Sequence, residues 1–439
     1  MKNLRKTAAL HNLGCKVNAY ELERIAEDLI RHGYEIVPFE ETADLYVVNT
    51  CTVTNIADRK SRQMLHRAKK QNPRALVVAL GCYVDTDPAG VEKDACIDIA
   101  LGNKDKAVLA EVLESHAQNL SGVTEQAEAR CAPADAARTR TRAFVKIQDG
   151  CNLFCSYCII PYARGRSTSR PAEEIIKEVR SLAAEGVKEI VLTGIHISSY
   201  GTEDTAGEAM QLPELLPAIN AVDGIERIRL GSLEPRSVTK EAVDRFTRAE
   251  KLCPHFHLSL QSGSDAVLRR MRRRYTTKDF AESVALLRQA YDRPALTTDL
   301  IAGFPGETEA EFAEGKAFVD AMDFYETHVF PFSLRRGTAA ERMEGQLTQA
   351  QKKARAEELI ALGKEKARRY REGFLGENLS VLWEEEETVD GKRMLAGYTE
   401  RYVRAAVPSG AEGSRPGGIS GVMPDSLSKN GEVLFVRKL

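Results

Sequence analysis

The chain has 439 residues, 43% of them hydrophobic and 29% charged, with a net charge of −2 and nine cysteines. That is enough for two or three domains with ordinary cores, and too near neutrality for a global basic field, so a nucleic-acid partner would have to be held by a local patch. The N-terminus is basic without a sustained apolar segment, and no run of about 18 apolar residues occurs, so we expect no leader, no membrane partner and, with this cysteine usage, metal or catalysis in a reducing compartment, the cytoplasm.

Residues 1 to about 115 alternate short apolar runs with amphipathic stretches. Strands are predicted at Ala8–Leu13, Tyr34–Val37, Leu45–Val48, Leu76–Leu80 and Ile97–Leu101. Helices are predicted over Glu21–Arg31 and Ala57–Lys70, the second stopped by Asn72-Pro73. This alternation predicts a doubly wound, mostly parallel sheet. Cys15, Cys51 and Cys82 each follow one of these strands, and ligands bind at that edge of open α/β sheets. Gly14 and Gly81 precede two of them and permit close backbone approach to a bulky group. The three thiols are either small buried hydrophobes or ligands of a metal cluster with an open position, and their recurrence at strand ends favours ligation. Residues 116–140 are polar and small and read as a linker. Cys131 within it, like Cys96 and Cys253, reads as incidental.

From 141 to 372 six strands are predicted: Ala143–Ile147, Glu189–Leu192, Arg227–Leu230, His255–Leu260, Leu296–Ile301 and His328–Phe332. Helices are predicted between them at Ala172–Glu185, Pro213–Val222, Ser264–Met271, Thr277–Tyr291 and Glu309–Met322, and after them at Thr348–Glu372. Six βα units without a dinucleotide fingerprint predict a partial or full (β/α) barrel, a partial (β/α)6 one being the choice, with its site at the C-terminal mouth. Polar or glycine-rich strand ends mark that mouth at Thr193-Gly194, Ser232 to Glu234, Gln261 to Gly263 and Gly303 to Glu307. From Leu375 the pattern changes to short β-like runs at 379–383, 397–399, 402–407 and 432–436, which predict a small β-barrel over 375–439, a shape that often binds oligonucleotides. Its acidic run Glu384–Glu387 argues against uniform phosphate binding there.

The most informative stretch is Cys151, Cys155 and Cys158, spaced Cys-x3-Cys-x2-Cys. A cubane [4Fe–4S] cluster takes four ligands, usually thiolates. Three close cysteines can ligate three irons and leave the fourth open to a small molecule, as a catalytic metal keeps one position free. Zinc fits less well, because structural zinc sites add a second cysteine pair or histidines, and the nearest downstream histidine is His196. A disulfide fails on number and context.

This run resembles the radical S-adenosylmethionine (SAM) enzymes. Together with Asn12-Leu-Gly-Cys15-Lys-Val-Asn, Asn49-Thr-Cys51-Thr, Gly81-Cys82-Tyr, Pro161-Tyr-Ala-Arg-Gly165 and Gly303-Phe-Pro-Gly306-Glu-Thr, it is similar to the methylthiotransferases over nearly the whole chain. Within that family it is most like the MtaB branch, which acts on N6-threonylcarbamoyladenosine at position 37 of tRNA. The isopentenyladenosine branch, the alternative, typically reads Gly-Cys-Gln-Met-Asn where this chain has Gly14-Cys-Lys-Val-Asn. A second alternative is a non-catalytic Fe–S protein that binds RNA or carries electrons.

The resemblance implies an α/β multidomain chain: a methylthiotransferase domain at 1–115, a radical SAM barrel at 141–372 and a TRAM-like β-barrel at 375–439. It implies two [4Fe–4S] clusters, on Cys151/Cys155/Cys158 and on Cys15/Cys51/Cys82, facing each other. SAM chelates the open iron of the first cluster, and its reductive cleavage gives a radical that activates the inert C2–H of adenine. The second cluster delivers sulfur, methylated by a further SAM. Implied partners are the tRNA anticodon stem-loop, a reductant such as flavodoxin or ferredoxin, and a sulfur donor. Tyr157 would pack beside the SAM adenine, with loop packing as its alternative. Thr193 and Gly194 resemble the strand end that binds the SAM amino group, Ser232 and Glu234 would reach its ribose or methionine part, and Gln261 and Asp299 are barrel-interior candidates. Arg164 and Arg166 could meet tRNA phosphate, as could the Arg269–Arg274 run. His196, His255, His257 and His328 read as core or rim histidines. The stretch Phe332 to Thr338 resembles the family's last strand end near the mouth, with Phe332 standing where tyrosine is commoner, a departure that leaves only the place of Arg336 unassigned.

Overall fold

A computed structural model describes residues 6–121, 141–203 and 210–439, with side chains left out over 117–121. Of the linker expected at 116–140, residues 116–121 continue a helix instead, and 122–140, with Cys131, lie outside the described residues. The chain forms two compact units. One gathers residues up to 136, 149–167 and 333–341; the other gathers 137–148, 168–332 and 342–439.

The first unit is built on five parallel strands, β1 (Thr7–Asn12), β2 (Glu35–Val37), β3 (Leu45–Thr50), β4 (Leu76–Gly81) and β5 (Ile99–Leu101), in the order β2-β1-β3-β4-β5. Every residue of β3 is buried, because helices cover both faces of the sheet. Leu45, Val47, Val78 and Leu80 pack against α1 (Lys16–Arg31) on one side. Tyr46, Val48, Val77 and Ala79 pack against α2 (Asn55–Gln71) on the other. Strands buried on both faces read as continuous apolar runs, which is how they were visible in the sequence. Three short or terminal helices were not expected: α3 (Cys82–Thr86), α4 (Pro88–Glu92) and α5 (Leu109–Ser121). Helix α1 begins at Lys16 rather than Glu21, with Cys15 as its N-cap. Its polar first turn looks like loop in sequence, yet Asn18 is buried there and donates from Nδ2 to the carbonyls of Leu13 (2.7 Å) and Thr50 (2.9 Å). The unit also takes in α6 (Ile160–Arg164).

In the second unit the strands are β6 (Arg142–Lys146), β9 (Glu189–Thr193), β10 (Arg227–Leu230), β11 (Ser232–Leu233), β12 (His255–Leu258), β13 (Ala295–Ala302) and β14 (Glu326–Pro331). Two-residue strands β7 (Gln148–Asp149) and β8 (Thr168–Ser169) flank the segment carrying Cys151 to Cys158. The parallel orders are β6-β9-β10 and β11-β12-β13-β14. Only Gly231 separates β10 from β11, so one strand passes from the first sheet to the second, and six strands make an open, partial barrel. Helices α7 (Ala172–Ala184), α8 (Leu212–Asn220), α9 (Lys240–Phe246), α10 (Asp265–Arg270), α11 (Thr277–Ala290), α12 (Glu309–Met322) and α13 (Gln349–Glu372) alternate with these strands and follow them.

Five further strands close into a small barrel in the order β15-β16-β17-β19-β18: β15 (Leu379–Val389), β16 (Lys392–Thr399), β17 (Arg404–Pro408), β18 (Ile419–Leu427) and β19 (Leu434–Lys438). Buried Val381, Trp383, Leu395, Ala405, Val422 and Leu434 fill it. The acidic run is part of β15. Glu384 pairs with Arg142 of β6 (2.9 Å) and Glu386 with Arg393 of β16 (2.5 Å), while Glu387 meets Arg404 of β17, so three of its four carboxylates meet arginines. Strand β18 is invisible in sequence, since Gly421 and Pro424 interrupt its alternation. This barrel seats on the N-terminal ends of the six strands through buried arginines. Arg227 donates to the carbonyls of Tyr398 and Ser380. Arg229 donates to the carbonyls of Thr399 and Glu400 and forks onto Glu189 (2.8 Å).

Candidate active site

A 2-1-3-4-5 sheet reverses its winding between β1 and β3, and the crevice beyond the strand ends at that point is where such sheets bind ligands. Cys15 follows β1 and Cys51 follows β3, with Cys82 after the neighbouring β4. The three thiols of the N-terminal region therefore lie at or beside the switch point of one sheet. Gly14 has φ +106°, and a Cβ there would lie 2.9 Å from the Cys51 sulfur. Gly81 has φ +89°, and a Cβ there would lie 2.7 Å from Lys106 Nζ. Both positions need glycine for conformation and for space. Cys15 is exposed, whereas Cys51 is buried and its thiol is pushed up to about 11 by that burial. A metal entering this set must displace the thiol protons. Three soft donors with close glycine backbone fit an iron–sulfur cluster better than they fit packing alone.

The segment 149–167 belongs to the same compact unit, so both cysteine triplets are held in one body. Gly150 (φ +67°) starts the loop, and a Cβ there would run into the Arg166 carbonyl at 2.0 Å. The Cys151 N–H donates to the Gly165 carbonyl (3.1 Å) and the Cys158 N–H to the Cys155 carbonyl (3.0 Å), folding the loop on itself. The Leu153 N–H points at the Cys151 sulfur (3.5 Å).

Arg164 overturns an expectation. Its side chain is 1% exposed and cannot meet tRNA phosphate. It donates to Glu21 (2.9 Å), Asp149 (3.1 Å) and Asn18 Oδ1 (2.6 Å), and Lys106 closes the network on Glu21 at 2.7 Å. Two cations and two carboxylates, all buried but Asp149, thus form one set, linking the helix that follows Cys158 to the helix that follows Cys15. Arg166 is exposed and stacks on Phe154 at 4.7 Å.

Two further ties went unnoticed in sequence. Asn103 donates to the Cys82 sulfur (3.5 Å) and to the Ala163 carbonyl (3.0 Å). Arg335 reaches Thr52 Oγ1 (2.6 Å), Asn55 (2.7 Å) and Asp58 (2.7 Å), the residues just after Cys51. From the same 333–341 segment, the Ala340 N–H donates to the Ser156 carbonyl (2.7 Å). Each cysteine loop is therefore anchored by a polar residue from a distant part of the chain. The only sequence signal was the presence of Asn, Glu or Arg beside the motifs.

In the second unit, Thr193, Gly194, Ser232, Glu234 and Gln261 stand at or just beyond the C-terminal ends of β9, β11 and β12. Gly194 passes close to Gln148, whose side-chain oxygen would lie 2.9 Å from a Cβ at 194. Gln261 adopts φ +69°. Glu234 lies 3.4 Å from His196; burial raises its carboxyl, but His196 outweighs this and holds it below the usual range. Tyr157 lies in the first unit with the cysteines. The arginine run is divided: Arg270 forks onto Glu311 (2.9 and 2.6 Å) and Arg273 bonds and stacks on Tyr275, while Arg269, Arg272 and Arg274 are exposed.

Residues 145–319 match the radical SAM superfamily, and residues 7–102 match Uncharacterized protein family UPF0004. A Threonylcarbamoyladenosine tRNA methylthiotransferase MtaB from Bacillus subtilis (strain 168) is 43% identical over 406 residues, 91% of this chain and 89% of that protein. The chain belongs to the radical SAM tRNA methylthiotransferase family. As a member of it, the enzyme uses SAM and two [4Fe–4S] clusters. A tRNA-2-methylthio-N(6)-dimethylallyladenosine synthase from Moorella thermoacetica is 37% identical over 410 residues, 91% of each chain. Among solved structures, the cobalamin- and [4Fe-4S]-bound radical SAM methyltransferase TsrM of Kitasatospora setae is 18% identical and covers 77% of each chain with TM-score 0.56, which supports the fold of the methylthiotransferase alone.

Proposed function

We propose that this methylthiotransferase acts on C2 of N6-threonylcarbamoyladenosine at position 37 of tRNA and yields the 2-methylthio nucleoside. The observation that carries this choice is the 43% identity to a protein named for that nucleoside, against 37% for one named for dimethylallyladenosine. Lys16 and Val17 after the first cysteine agree with it. Cys151, Cys155 and Cys158 would hold the SAM-binding cluster, and Cys15, Cys51 and Cys82 the auxiliary cluster that hands over sulfur. When bound, the clusters and SAM supply the one-electron cleavage and the sulfur that no side chain could provide for an inert C2–H.

The chain's own residues do the positioning. Gly14 lets the backbone come close to the Cys51 sulfur, while Gly81 and Gly150 make room for Lys106 and the Arg166 carbonyl beside the other cysteines. The buried Arg164, Glu21 and Lys106 network fixes α6 against α1 while cancelling charge. Thr193, Gly194, Ser232 and Gln261 would line SAM, and the ionised Glu234 would accept from its ribose or ammonium. Tyr157 would pack beside the adenine. The division of labour is 1–115 for sulfur, 141–372 for the radical and 375–439 for RNA. An anticodon stem-loop substrate, a flavodoxin- or ferredoxin-type reductant, a separate sulfur donor and a cytoplasmic setting complete the reading. Reconstituted enzyme given SAM, reductant, sulfide and anticodon stem-loops carrying either nucleoside should methylthiolate the threonylcarbamoyl substrate. Modification of the isopentenyl substrate alone would move the enzyme to the other branch. Absence of 5′-deoxyadenosine would support a non-catalytic Fe–S protein.

A further inference from the structure

Inside the open barrel, side chains alternate along each strand. Phe256, Leu258, Leu296, Leu300 and Val329 belong to the apolar core beneath the helices. Their neighbours His257, Asp299 and His328 take the opposite, lumen-facing side of β12, β13 and β14. Asp299 and His328 are direct partners across β13 and β14, and His257 is the partner of Thr297 one step along β13. One ligand atom from each of the three lies within 4.8 Å of the other two.

Hydrogen bonding makes the cluster unusual. His257 Nε2 is buried and has no hydrogen-bond partner. It lies 3.4 Å from an Asp299 carboxylate oxygen. His257 Nδ1 is occupied at 2.9 Å by Thr297 Oγ1. With Nδ1 taken by Thr297, Nε2 is the ring nitrogen left to face the Asp299 carboxylate. The His328 ring stacks beside His257 at 5.9 Å and is exposed. A buried polar atom left unpaired calls for an explanation, an ion being one.

We propose that His257, Asp299 and His328 form a divalent transition-metal site in the barrel lumen, distinct from both iron–sulfur triplets. Two imidazoles and one carboxylate are a common ligand set for zinc or ferrous iron, with the remaining positions open. Adjacent ligands of a tetrahedral ion at bonds of about 2.0–2.1 Å sit roughly 3.3–3.5 Å apart, which the His257 to Asp299 spacing already matches. Thr297 supplies the outer hydrogen bond that fixes the tautomer and ring of a ligating histidine.

The probe is zinc. Holoenzyme with both clusters in place is dialysed against buffered free zinc, and zinc and iron per chain are measured. Wild type is expected to hold one zinc beyond its iron. His257→Ala and Asp299→Asn should lose it with iron per chain unchanged, and Thr297→Val should weaken it about 10–100-fold. Cys96→Ser, which breaks the surface trio of His66, Asp94 and Cys96, should leave it intact. Diffraction above and below the zinc edge should place the ion between His257 and Asp299. Equal zinc in wild type and the lumen variants, no zinc in wild type, or zinc lost only in Cys96→Ser would each overturn the site.

Discussion

Arg164→Ala is the sharpest structural test. The side chain is 1% exposed and makes charge-assisted bonds to Glu21, Asp149 and Asn18. Removing one partner of a buried ion pair costs about 3–5 kcal/mol, because the survivor is left charged in low dielectric. Here Lys106 still meets Glu21 at 2.7 Å, and Asp149 is 25% exposed, so the lower end, about 3 kcal/mol, applies. With a urea dependence of roughly 1–3 kcal/mol/M, the unit should open about 1–3 M earlier. The chain has one tryptophan, Trp383, inside the C-terminal barrel. Its fluorescence reports the second unit, and hydrogen exchange at α1 and α6 reports the first. Arg164→Ala should speed exchange in α1 and α6 and advance cluster loss while leaving the Trp383 transition in place. Arg164→Lys should recover part of the loss, since charge returns without the fork. Unchanged exchange in α1 and α6, or a Trp383 transition that moves equally, would refute the reasoning.

Arg335→Ala removes three bonds to the loop after Cys51, leaves the part-exposed Asp58 without its cation, and should cost up to about 3 kcal/mol; limited proteolysis should then cut within 333–341 faster than in wild type. Asn103→Ala deletes the donor to the Cys82 sulfur and should cost about 1 kcal/mol, read as faster iron loss under chelator. The triple Cys15/Cys51/Cys82→Ala variant should keep about four of about eight irons, one cubane per triplet, and should still form 5′-deoxyadenosine while losing methylthiolation. Glu189 is fully desolvated, which raises its carboxyl, but the Arg229 fork outweighs this and holds it below the usual range. Its stabilisation is therefore present above about pH 4.3 and lost as pH falls through its depressed folded value. Glu189→Gln should flatten the pH dependence of the Trp383 transition below that point.

Much of the fold was legible because burial leaves a pattern. The runs at Leu45 and Leu76 are apolar on both faces and announced a parallel sheet, and each thiol directly after a strand announced the switch-point edge. What stayed hidden depends on partners far along the chain. Arg164 looks like a phosphate contact until Glu21, 143 residues away, is seen beside it. The first turn of α1 looks like loop because Asn18 is satisfied by Leu13 and Thr50 rather than by its neighbours. Arg269 to Arg274 reads as one basic patch, but Glu311 and Tyr275 take two of its members. The acidic run of β15 reads as a repellent surface, but three of its four carboxylates meet arginines from elsewhere in the chain. Periodicity reports which side chains are inside; it carries no record of which polar groups meet there.

The central claim is that this enzyme methylthiolates N6-threonylcarbamoyladenosine in tRNA. Nucleosides from tRNA of cells with and without the gene test it most directly. The account predicts loss of 2-methylthio-N6-threonylcarbamoyladenosine, with its unmethylthiolated precursor accumulating and the isopentenyl product unchanged. An unchanged level of that nucleoside, with the isopentenyl product lost instead, would contradict it.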